Sequence, residues 1–153
     1  MDIEEILHEI LTDLLNRLGM EVTKISITEE ENENYFINIS SENPSELIGY
    51  HGDNIQAIQH ILKTLAWKKT GNNNFNILLD VDNYRKRQEE NVMNLAKRKI
   101  AMARKTRRPQ NLPPMNPFLR RKIHLLCMEP GMDDIETLSQ GEGDRRHIVI
   151  KLK

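Results

Sequence analysis

The chain has 153 residues, 29% of them charged and 38% hydrophobic, with a formal net charge of −1; that is long enough for one domain, or two small ones, with a buried core. No apolar run approaches the roughly 18 residues of a membrane span, and the start Met1-Asp2-Ile3-Glu4-Glu5 lacks a signal peptide's basic flank and apolar block. The single cysteine, Cys127, excludes a disulfide framework and a multi-cysteine zinc site, so the expected setting is reducing and cytoplasmic, with no metal, no cofactor and no membrane insertion.

Ile3, Ile6, Leu7, Ile10, Leu11, Leu14, Leu15 and Leu18 recur at helical spacing and predict an amphipathic core helix. Glu4, Glu5, Glu9 and Asp13 take its outer face, and Gly19 is placed to end it at C′. Residues 21–28 and 35–40 read as strands, the second with Tyr35, Ile37 and Ile39 on one face. The acidic stretch 29–34 between them predicts a hairpin turn. Asn43-Pro44-Ser45 then breaks the strand and opens a short helical turn that leads into Ile48.

The next stretch, Leu47-Ile48-Gly49-Tyr50-His51-Gly52-Asp53, organises the first half. Gly49 and Gly52 permit φ > 0 and close backbone approach. Ile55, Ile58, Leu62, Leu65 and Ala66 follow at helical spacing, to about Lys69. The loop amides therefore precede a helix N-terminus, where partial positive charge favours phosphate. This Ile-Gly-x-x-Gly-x-x-Ile pattern resembles the GXXG loop of a KH domain, which clamps about four nucleotides. Residues 75–81 read as a third strand, so the element order matches the αββααβ arrangement of a type II KH fold. The resemblance implies an RNA-binding loop of Ile48, Gly49, Tyr50, His51, Gly52 and Ile55, with Ile48 and Ile55 lining a groove for bases. Tyr50-His51 stands where KH loops commonly carry Lys or Arg. Phosphate binding then rests on amides, His51 and the helix end, while the Tyr50 ring can stack on a base.

Asp82 is placed to N-cap a long basic helix reaching about Thr106, read as a rigid connector at the domain boundary. Residues 107–115 are too proline-rich for helix. Asn116 as N-cap and Pro117 at N1 then start another helix, with Leu119, Ile123 and Leu126 apolar. Pro130-Gly131 ends it. Residues 135–139 and 147–152 predict two strands joined through Gly141-Glu142-Gly143-Asp144.

Arg120 and His124 are four apart, so on a helix they share a face one turn apart. They offer a forked, permanent guanidinium charge and an imidazole donor to phosphate. Arg-x-x-x-His is the signature of the R-x(3)-H domain, a single-stranded nucleic-acid binder. With Arg107-Arg108-Pro109 before it and Ser139-Gln140-Gly141-Glu142-Gly143-Asp144-Arg145-Arg146 after it, the chain resembles the bacterial Jag (SpoIIIJ-associated, KhpB-type) proteins. The fold class implied is α+β: a type II-like KH domain at 1–81, a connector helix at 82–106 and a small α/β R-x(3)-H domain at 107–153. The resemblance implies a non-enzymatic protein that binds single-stranded RNA, with single-stranded DNA as a competitor. Arg120 and His124 would contact phosphate, supported by Arg107, Arg108, Arg121, Arg145 and Arg146. It further implies a small single-KH partner protein and RNA-level control of cell shape and division. The N-terminal extension of many relatives has no counterpart here, so its roles do not carry over.

Charge divides unevenly. Through Gln56, thirteen acids face only Arg17 and Lys24, whereas the remainder holds twenty Lys and Arg against ten Asp and Glu. That points the basic part toward a polyanion. A second reading is a protein-interaction adaptor that docks a basic partner through the acidic N-terminal half. Cys127 reads as a small buried residue and not a nucleophile, and Trp67 as packing. His8, His60 and His147 do not share metal-ligand spacing with acids or Cys127, and no carboxylate cluster suits two-metal chemistry.

Overall fold

Helix α1 (Ile3–Arg17) opens with a reciprocal capping box between Asp2 and Glu5. It closes with a Schellman motif around Gly19 at φ +69°, in which the Met20 amide donates to Leu15 O and the Gly19 amide to Asn16 O. The structure is a computed structural model describing residues 2–153. The chain divides into two units, the first ending at Arg85 and the second running Lys86–Lys153.

In the first unit, β1 (Lys24–Glu30) pairs antiparallel with β2 (Asn34–Ser40), and β2 pairs parallel with β3 (Asn76–Val81), giving the order β1-β2-β3. Parallel neighbours need a crossover. Here it is α2 (Pro44–Ile48) and α3 (Asp53–Thr70), and the element order is the αββααβ expected. Leu7, Leu11 and Leu15 of α1 and Ile55, Ile58 and Leu62 of α3 share one core with Tyr35, Ile37, Ile39 and Leu79 of the sheet. The hairpin is tighter than the sequence suggests. Glu29 and Glu30 belong to β1, and Asn32 and Glu33 turn the chain at φ 61° and 55°.

The second unit contains most of α4 (Tyr84–Thr106), then β4 (Gln110–Asn111), α5 (Pro117–Leu126), β5 (Ile135–Gln140) and β6 (His147–Leu152). Its sheet is antiparallel in the order β4-β6-β5. Ala96, Ile100 and Ala103 of α4 share a core with Leu112, Ile123, Leu126, Ile135, Ile148 and Ile150. From Val92 onward α4 is thus built into this core. Strand β4 lies in the proline-rich stretch, where the sequence pattern carries no strand signal.

The cap of α4 is a correction. Asp82 and Asn83 adopt φ 48° and 56°, whereas an N-cap residue sits in the β region. The carboxylate that serves this helix is Asp80, 4% exposed, which accepts from the amides of Arg85 (3.2 and 3.3 Å) and Val81 (2.9 Å).

Candidate nucleic-acid interface

The glycine loop is held by its own backbone geometry. Gly49 takes φ 69°, ψ −170°, a region essentially reserved for glycine. A Cβ there would lie 2.5 Å from Asn54 Cγ. The Asn54 amide donates to Glu46 O at 2.8 Å, so one side chain ties both flanks of the loop together. Tyr50–Gly52 form a single 3₁₀ turn, with His51 at φ 50° and Gly52 at φ 85°. Gly52 is the N-cap of α3 and offers no side-chain cap. The first amides of α3 are orphan donors of the kind that attract anions.

Tyr50 is 77% exposed, and its ring meets that of the exposed His51 edge-on, centroids 4.2 Å apart. Gly52 is buried, and a Cβ on it would stand 3.3 Å from Tyr84 Cε1. Ile48 is half-buried, and Ile55 is 1% exposed inside the core. Of the six loop residues singled out in the sequence, Tyr50 and His51 present side chains to solvent, while Ile55 anchors the helix. Tyr84, which no sequence motif marks, closes the loop from behind. Burial, then the charges of Asp53 and Asp80, pushes its hydroxyl pKa up.

The second surface is built on α5. Asn116, at φ −66°, ψ 163°, accepts from the Leu119 amide at 2.9 Å, with Pro117 in the first turn, as the sequence predicts. Leu119, Ile123 and Leu126 face the core. Arg120 and His124 lie half-buried on the flank of that stripe. His124 Nδ1 is 2.5 Å from Thr137 Oγ1 on β5. That bond fixes the ring and leaves Nε2 as the imidazole's other polar atom. Thr137 also escapes the sequence reading; the signal is a hydroxyl in line with inward-facing Ile135 on an alternating strand.

Arg107, Arg108, Arg121, Arg145 and Arg146 are exposed. Arg146 Nη1 donates to Gly141 O at 3.0 Å, and Met115 N donates to Arg146 O, which places Arg146 beside the start of α5. Hydrogen bonding in the structure does not gather Arg107, Arg108, Arg121 or Arg145 onto the Arg120–His124 pair. Cys127 is buried, and burial raises its thiol pKa against an opposing pull from Arg104. Among the described residues no three His, Cys, Asp or Glu side chains are placed to hold a metal ion, and no helix is long and apolar enough to cross a membrane.

Comparison with known proteins returns two family models. Residues 4–77 match "KhpA/KhpB, KH domain" and residues 90–152 match the R-x(3)-H domain. The chain is 32% identical over 146 residues to the RNA-binding protein KhpB of Clostridium symbiosum, covering 95% of this chain and 64% of that one. It is 32% identical over 115 residues to the protein of the same name from Bacillus subtilis, covering 75% and 55%. The Streptococcus pneumoniae protein of that name is 22% identical over 152 residues, covering 97% and 45%. The matched part thus spans between 45% and 64% of these relatives' own lengths.

Proposed function

A KhpA/KhpB-type KH domain followed by an R-x(3)-H domain places this chain in the KhpB/Jag-type family, and from that premise we propose that it binds single-stranded RNA at two surfaces and performs no chemistry on it. The observation that carries the reading is the Arg120–His124 pair, one helical turn apart, with the imidazole held by Thr137. A guanidinium fork and an oriented imidazole can grip neighbouring phosphate oxygens. The second grip is the Gly49–Gly52 loop, where α3 begins without a side-chain cap and Tyr50 offers an open ring to a base.

The basic second unit should dominate affinity and its salt dependence, since phosphate neutralisation releases counterions. The glycine loop, with no Lys or Arg of its own, should contribute less to both. RNA-level control of cell shape and division, and a small single-KH partner protein, belong to the same proposal through the resemblance that implies them.

The test is binding of the full chain to a labelled single-stranded RNA oligomer. R120A/H124A should weaken binding and flatten the plot of log K against log salt by about 0.7 for each phosphate no longer neutralised. Y50D/H51D should weaken binding with less change of slope. Retention unaffected by both pairs would overturn the proposal. Docking of a basic protein that survives R120A/H124A would instead support the adaptor reading of the acidic N-terminal half.

A further inference from the structure

Strand β3 pairs with β2 on one side, and its other edge carries side-chain hydrogen bonds. The amides of Asn76 and Asp82 donate to Glu33 O and Ile39 O on the β2 side, so the odd-numbered residues between them turn their peptide groups outward. At Leu79 the outward amide donates to Gln59 Oε1 (3.0 Å), and the outward carbonyl accepts from Arg85 Nε (3.1 Å). Arg85 Nη2 also donates to Gln59 Oε1 (3.3 Å). The three groups form a closed set across the gap between α3 and β3.

That gap lies on the glycine-loop side of the unit. Gln59 is on α3, seven residues after Gly52, and Arg85 directly follows Tyr84, whose ring backs Gly52. The Gln59 oxygen is engaged twice, so what the pair has left to offer a ligand is donors: the Gln59 amide and the Arg85 Nη1 group. Both residues are half-buried, where a hydrogen bond discriminates more strongly than in open water.

We propose that Gln59 and Arg85 together read one base of the bound strand and select an edge with two neighbouring acceptors. Cytosine, with N3 and O2, fits a donor-only pair, as does guanine with N7 and O6. Adenine does not, because each of its ring acceptors beside N6 is flanked by an amino donor. This deepens the two-surface reading and rests on RNA reaching the first unit. The plain alternative is that the pair merely blocks the open edge of β3 against strand addition.

The experiment uses the full chain carrying R120A/H124A, so that the first unit dominates, with oligo(rC) and oligo(rA) of equal length as probes. The expected preference for oligo(rC) is about tenfold. Q59A and R85K should each bring the ratio toward one. R85K keeps the charge, so it should retain affinity for oligo(rA), and thermal melts confirm that both variants fold. A ratio near one before either substitution, or one that survives both, overturns the base-reading role while leaving RNA binding intact. Loss of binding to both oligomers in the R120A/H124A chain overturns RNA binding by the first unit, and this inference with it.

Discussion

At Gly49 the backbone occupies φ 69°, ψ −170°, and the space a Cβ would need is filled by Asn54. Gly49→Ala should therefore cost roughly 1–3 kcal/mol in urea denaturation. The left-handed Gly52, whose added Cβ would meet only the edge of the Tyr84 ring, should be replaced by Ala at a cost of about 1–2 kcal/mol. Equal tolerance at Gly49 and at exposed Gly71 would contradict this account of the loop. At the second surface, Thr137→Val removes the hydroxyl that orients His124 and keeps the strand's shape. RNA affinity should fall severalfold with little change in melting temperature, and unchanged affinity would mean His124 needs no such support. Both glycines and the Arg120–His124 spacing are legible in the sequence, because loop geometry and helical period are local properties. Thr137 and Tyr84 are not, because each acquires its role from a segment distant in the chain.

The elements show the same division between local and distant causes. Helix α5 begins where Asn116-Pro117 says it should, since N-cap and N1 preferences act within one turn. Helix α4 does not begin at Asp82: the chain turns through two left-handed residues, and the cap comes from Asp80, buried at the end of β3. Asp80→Ala leaves two amides without that acceptor and should cost about 1–3 kcal/mol. Asp82→Ala should change stability by no more than about 0.5 kcal/mol; the reverse order would restore Asp82 as the cap. Near its other end α4 holds the second unit through Arg104, which donates from Nε and Nη2 to both oxygens of Asp134 (2.9 and 2.8 Å) and from Nη2 to Gly131 O. That hydrogen bonding holds the Asp134 carboxyl below its ordinary pKa. A lowered folded-state pKa stabilises above the unfolded value of about 3.9 and loses that contribution as pH falls through the folded value. Asp134→Asn should thus be less stable than the parent at neutral pH, and the two unfolding curves should converge in acid. Curves that stay parallel throughout would rule out a titrating role.

Across the whole chain, two separate cores are foreseeable from the element pattern alone, since each set of apolar residues closes within its own part of the sequence. The charge split is equally visible, and it has a consequence beyond solubility. The acidic first unit must bind RNA through dipoles, ring stacking and the donors around Arg85. The second can do so through permanent charge. Two weak grips on one chain raise apparent affinity through effective concentration when a single strand reaches both, so variants at the two surfaces should be non-additive on a long oligomer and nearly additive on a short one. The most direct measurement is the salt dependence of RNA binding by the full chain, compared between R120A/H124A and Y50D/H51D. The account predicts the larger affinity loss and the larger fall in slope for R120A/H124A; equal slopes, or a steeper loss from Y50D/H51D, would contradict it.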